Sequence, residues 1–155
     1  MNSNKGPIQL NKIGLSEGAV DFYAKIDSTF NFRLKFDWMG DFKEGFAAVK
    51  LNGKCNFINT EGKLLSRQWF DWMEAIEDGF AEVSLNGKWN FINTEGQILS
   101  HQWFDDINSS FSNGFAIVKL DGKWNFIKTG GQLLSQQWFD KMWNFDEGFA
   151  KVKLN

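Results

Sequence analysis

Few residues in this 155-residue chain could do chemistry: one histidine, one cysteine and 19 carboxylates. A cysteine beside a histidine can form an activated nucleophile, and either can ligate a metal. The positions at which they stand argue against both roles. His101 lines up with Arg67 and Gln136 in neighbouring copies of a repeat, so its place accepts any polar residue and reads as solvent-facing. Cys55 lines up with Trp89 and Trp124, and reads as a small apolar substitute in the core. Paired carboxylates could serve as general acid and base, and Asp71, Asp105 and Asp140 each close a Gln-Trp-Phe-Asp run. An active site is normally single, whereas these recur in every copy; an Asp accepting backbone N–H groups at a turn explains the recurrence better. Glu61 and Glu95, in Thr-Glu-Gly turns, are solvated by position. The glycines form isolated turns and not a phosphate-cradling loop, and the Cys/His spacings of zinc sites are absent. The sequence therefore gives no catalytic residue, no metal ligand and no cofactor site, and reads as a non-enzyme.

The elements that would position a site are repeats. Gly-Phe-Ala falls at Gly45, Gly79, Gly114 and Gly148, spaced 34, 35 and 34 residues apart. Gly-Lys-x-Asn-Phe begins at Gly53, Gly87 and Gly122, and Gln-Trp-Phe-Asp at Gln68, Gln102 and Gln137. A fixed period in this range means a solenoid, a propeller or an array. Each copy predicts three strands. The first spans 80–85, where Ala81, Val83 and Leu85 alternate with Glu82 and Ser84. Asn86-Gly87 then predicts a type I′ hairpin turn, which needs positive φ at both central residues. The second strand spans 88–93, closed by Thr94-Glu95-Gly96 as a type I turn with a bulge. The third is placed at 97–104. A polar linker follows, pinned by Phe42, Ile76, Phe111 or Phe145, each three residues before the Gly of Gly-Phe-Ala. The one extra residue of the 35-residue copy is placed in the linker at Ser109 and Ser110, because loops tolerate insertion.

Composition bounds the function. Aromatics make up 17% of the chain, so the core must be built from Phe and Trp. The net charge is −2 with the signs interspersed, which excludes a phosphate-backbone footprint and hence nucleic acid. No apolar run reaches the length of a membrane-spanning helix, so no membrane partner is expected. The start, MNSNKGPIQLNKIG, lacks the apolar stretch of a signal peptide, and one cysteine cannot make an internal disulfide; both fit a cytoplasmic location.

Taken in order, residues 1–14 are a polar segment in which Ile8, Leu10 and Ile13 could lay an edge on the first repeat. Residues 15–44 are a shortened capping repeat: 25–32 match 50–57, and Phe36-Asp37-Trp38-Met39 matches Phe70-Asp71-Trp72-Met73. Three full copies follow at 45–78, 79–113 and 114–147, then a partial copy at 148–155, all in one domain. The last strand carries an edge that Lys151 and Lys153 either protect or leave open to a second molecule.

Gly-Phe-Ala-x-Val-x-Leu-Asn-Gly-Lys-Trp-Asn-Phe-Ile-Asn-Thr-Glu-Gly-x-x-Leu-Ser resembles the bacterial WG-repeat (KWG) family, over roughly residues 45–155. Asn56, Asn90 and Asn125 stand where the family's name-giving Gly usually does. The resemblance implies an all-β chain of tandem hairpins wound into a superhelix, and no established catalytic activity. Three strands in 34 residues favour an open, twisted β-solenoid-like array; the alternative is a closed, propeller-like one, although propeller blades of the WD40 type use about 40–45 residues and four strands.

Recurring aromatics, such as Trp69, Trp103 and Trp138, read as core between repeats. The non-recurring ones are better surface candidates. Trp72 stands where other copies have Asp106 and Lys141, and Trp143 lies in a linker that is elsewhere small or polar. With Glu82 and His101, at drifting positions, these six form the candidate interaction surface, since Trp is enriched at binding hot spots. The function read from the sequence is a non-enzymatic protein-interaction or structural module, self-associating or serving as an accessory subunit of a larger complex. The alternative is carbohydrate or small-ligand binding through aromatic grooves between repeats.

Overall fold

The computed structural model describes the backbone of residues 9–15, 19–26 and 30–155, and the side chains of 36–155. Every described element is a β-strand. The chain divides into two compact units, 1–76 and 77–155.

In the first unit, β1 (Gln9–Leu15), β2 (Ala19–Ile26) and β3 (Phe30–Phe36) form one antiparallel sheet. The 1–14 segment thus contains a strand; its residues 1–8, including Ile8, lie outside the described residues. A second sheet has the order β4 (Trp38–Met39), β5 (Phe46–Leu51), β6 (Lys54–Asn59), and β7 (Trp72–Met73) follows. The second unit holds the hairpin β8 (Phe80–Leu85) and β9 (Lys88–Asn93). Next come the sheet β10 (Asp106–Ser112), β11 (Phe115–Leu120), β12 (Lys123–Lys128), and the pair β13 (Lys141–Asp146), β14 (Phe149–Lys153). The fold is all-β and built from tandem three-stranded antiparallel sheets, none closed into a barrel.

The hairpins form where the alternation and the turns place them. Asn86 and Gly87 have φ of 52° and 75°, as a type I′ turn demands. The same face is buried each time: Ala47 and Val49, Ala81 and Val83, Ala116 and Val118 are all at most 2% exposed. Phe57, Phe91 and Phe126 complete these cores, and full burial of one such side chain contributes about 1.5–3 kcal/mol.

The third strand is not where the sequence reading put it. Residues 97–104 meet the β9 backbone in two separate places, with Gln97 and Leu99 bonded to Asn93 and Phe91 around the Ile98–Ile92 bridge, and Phe104 bridged to Trp89. Between those points the backbone leaves the ladder, because the buried Asn90 side chain takes the polar groups of Ser100 and Gln102. The strand that joins β11 instead is the supposed polar linker, whose Ile107 and Phe111 pack into the core. The extra residue therefore lies inside β10, where the pairing register shifts between Ile107 and Ser109 and again before Ser112. A bulge lets a strand absorb an insertion without flipping its faces. The final strand, β14, likewise pairs with the linker strand β13.

Candidate functional site

A row of residues crosses the second sheet of the first unit. Trp38 on β4 lies opposite Lys50 on β5, and Lys50 lies opposite Cys55 on β6. Backbone bonds from Asp37 N to Lys50 O (2.8 Å) and from Gly40 N to Ala48 O (2.9 Å) fix β4 in place. Gly40 leaves room for the Trp38 ring, since a Cβ there would stand 2.9 Å from its Cη2. Cys55 exchanges two backbone bonds with Phe70, which delivers Trp72 to the same neighbourhood.

These residues wall a groove of about 400 Å³ with an apolar floor that includes Phe46, Val49, Phe57 and Ile76. Trp38 and Trp72 are each 47% exposed. The Lys50 ammonium sits between them, 5.7 Å from one ring centroid and 5.6 Å from the other. Among the described residues no carboxylate pairs with it. The Trp72 indole N–H donates to Glu74 Oε1 at 3.0 Å, which fixes the ring's tilt. The volume falls in the range of small-ligand sites, and two aromatic walls with a few polar groups are their usual lining. Burial pushes the Cys55 thiol pKa up, against the opposing Lys50 charge. A protonated thiol is a poor nucleophile.

Trp72 is the one candidate from the sequence that lines this groove. Glu82, His101, Asp106, Lys141 and Trp143 belong to the second unit. There Glu82 accepts a bond from Ser110 Oγ at 2.8 Å, His101 is exposed on the loop, and Asp106 pairs in register with Lys119. Lys141 opposes Lys153, and Lys151 lies over the Trp143 ring at 4.9 Å. The structure does not gather these five into one cavity.

Sequence reasoning missed Trp38 and Lys50. The signal was present, because Phe-Asp-Trp-Met occurs twice, at Phe36 and at Phe70, and no other copy keeps that Trp.

The recurring aspartates hold turns. Asp105 Oδ2 accepts from Asp121 N at 2.7 Å, and Asp140 Oδ2 from Asn155 N at 2.8 Å. Each also takes a lysine ammonium, Lys88 on Asp105 and Lys123 on Asp140 (3.2 Å). The hydrogen bond from Lys88, then that from Asp121, lowers the Asp105 pKa; Asp140 is lowered chiefly by the hydrogen bond from Lys123.

The repeat itself identifies the family. The model of the WG containing repeat matches four successive stretches, 25–55, 57–89, 91–124 and 126–155. The chain belongs to the WG-repeat family. The first match takes in the shortened copy, so Trp38 and Trp72 both belong to WG repeats. A search of curated proteins found no match. One solved structure similar to the WG-repeat chain is KlHsv2 with loop 6CD replaced by a Gly-Ser linker, at 9% identity and a TM-score of 0.43. The match covers 75% of this chain and 44% of that one, so the chain spans less than half its length.

Proposed function

We propose that this WG-repeat chain is a non-enzymatic binding module that recognises a partner protein through the groove between Trp38 and Trp72. One observation carries the reading: two half-exposed indoles flank an ammonium that has no carboxylate partner among the described residues, over an apolar floor. Elsewhere the repeat fills the same position with Asp106 or Lys141, so the repeat frame does not require these tryptophans. Strand pairing holds the Trp38 wall before any partner arrives, which lowers the ordering cost of association. Trp is also the residue type most concentrated at interface centres. The partner is a larger assembly in which the chain is an accessory subunit. The test is capture from a native lysate by the wild type and by W38A/W72A, with circular dichroism confirming that both are folded. Loss of the captured protein with the variant supports the reading, and equal capture contradicts it.

A second reading, carbohydrate binding, is favoured by the lining, which includes both carboxylates (Asp41 and Glu74) and ammonium groups (Lys43 and Lys50). Sugar hydroxyls need donors and acceptors together, and sugar faces stack on indoles. Tryptophan fluorescence that stays flat across a panel of glycans removes this reading.

A further inference from the structure

Besides its two tryptophan walls, the groove departs from the other copies in a further residue, Cys55. The cross-strand row of the second sheet in unit one is Trp38, Lys50, Cys55. The corresponding row of the sheet β10–β11–β12 is Asp106, Lys119, Trp124. There the Lys119 ammonium rests over the Trp124 ring, 4.9 Å from its centroid. In the hairpin β8–β9 the same place is again tryptophan, Trp89, opposite Ser84. Only in the first full copy does a cysteine occupy this column, and its short side chain lines the groove floor. Lys50 has no indole beneath it on β6 and leans between Trp38 and Trp72 instead.

We propose that the groove is an indole socket, receiving a tryptophan side chain of a partner protein in the space that Trp124 fills in its own repeat. This rests on the reading of the groove as the recognition surface, and names the chemistry of its occupant. Three features favour an indole. The neighbouring copies show that this backbone frame accommodates that ring against the strand. The Lys50 ammonium has no carboxylate partner among the described residues and supplies a cation for the ring face, as Lys119 does for Trp124. The walls are themselves aromatic, at a separation bounded by Lys50, whose distances of 5.7 and 5.6 Å place the two centroids at most about 11 Å apart. Ring centroids 4.5–7 Å apart attract one another, so a ring that lies within that distance of both walls gains from each.

The test uses the ¹⁵N-labelled full chain and two capped pentapeptides, Gly-Gly-Trp-Gly-Gly and Gly-Gly-Leu-Gly-Gly. The tryptophan peptide is expected to give saturable shifts of the Trp38 and Trp72 indole N–H signals, and the leucine peptide none. C55W restores the column's own residue, keeps or raises the melting temperature, and abolishes the shifts. K50M keeps the stem, removes the charge and weakens binding about 2–5-fold. Absence of shifts in the wild type, or unchanged shifts in folded C55W, overturns the proposal. Should C55W fail to fold, K50M decides: affinity equal to wild type overturns it. Binding of free tryptophan without the peptide also overturns it, since the occupant is then a small molecule. If the peptide fails while W38A/W72A still loses its captured partner, the socket falls and the recognition surface stands. If capture too is unaffected, both fall.

Discussion

Asn90 closes its own repeat on Ser100, ten residues away. Its Nδ2 donates to the Ser100 carbonyl at 2.8 Å and to that of Gln102 at 3.3 Å. Its Oδ1 accepts from Phe91 N at 2.8 Å and Ser100 N at 3.3 Å. The side chain is fully buried, as are Asn56 and Asn125; Asn56 makes the same four bonds in its repeat, and Asn125 makes three of them, with Ser135 O, Gln137 O and Phe126 N. The residue that departs from the family's glycine is thus the staple that bends 97–104 away from a regular strand. Asn90→Ala leaves these backbone groups buried and unmatched, at a cost of about 2–4 kcal/mol. Urea unfolding measures it, and a loss under about 0.5 kcal/mol contradicts the staple.

Two glycines separate backbone conformation from packing. Gly122 and Gly131 have φ of 78° and 86°. A Cβ on Gly122 meets nothing, whereas one on Gly131 would stand 1.9 Å from the Leu99 carbonyl oxygen. Gly122→Ala therefore costs about 1–2 kcal/mol, the left-handed penalty alone. Gly131→Ala must also displace backbone and costs clearly more. Equal losses in parallel urea titrations would contradict this account of the turn.

Acid should weaken the turns held by aspartate. Asp105 and Asp140 have pKa values lowered from 3.8 by their lysine partners. Their stabilisation is present above the unfolded pKa, near 3.8, and is lost as pH falls through the lower folded values. Both pairs are exposed, so the effect is small. The double variant D105N/D140N should lose less stability than wild type between pH 5 and pH 2, on the order of three pH units. Parallel curves in that window would show that the pairs contribute nothing.

Much of the fold is legible in the residues. The hairpin β8–β9 follows from Ala81, Val83 and Leu85 with Asn86-Gly87, because period and turn agree. The linker strand β10 is harder to see, since its inward positions, Ile107, Ser109 and Phe111, include a polar residue that breaks the apolar alternation. Residues 97–104 carry enough apolar residues to pass for a strand. Only the burial of Asn90, a long-range event, decides otherwise. The groove is half legible: Trp72 stands out by its column, and Cys55 does too. That Lys50 would lean towards Trp38 and Trp72 depends on the space left by Cys55, which no local pattern expresses.

The central claim is that the Trp38–Trp72 groove is the recognition surface. Its most direct test is the dissociation constant of the captured partner protein for wild type and for W38A/W72A, at matched circular dichroism and melting temperature. The account predicts about 100-fold weaker binding or worse, as expected when two central aromatic anchors are truncated. A dissociation constant unchanged within about twofold would contradict it.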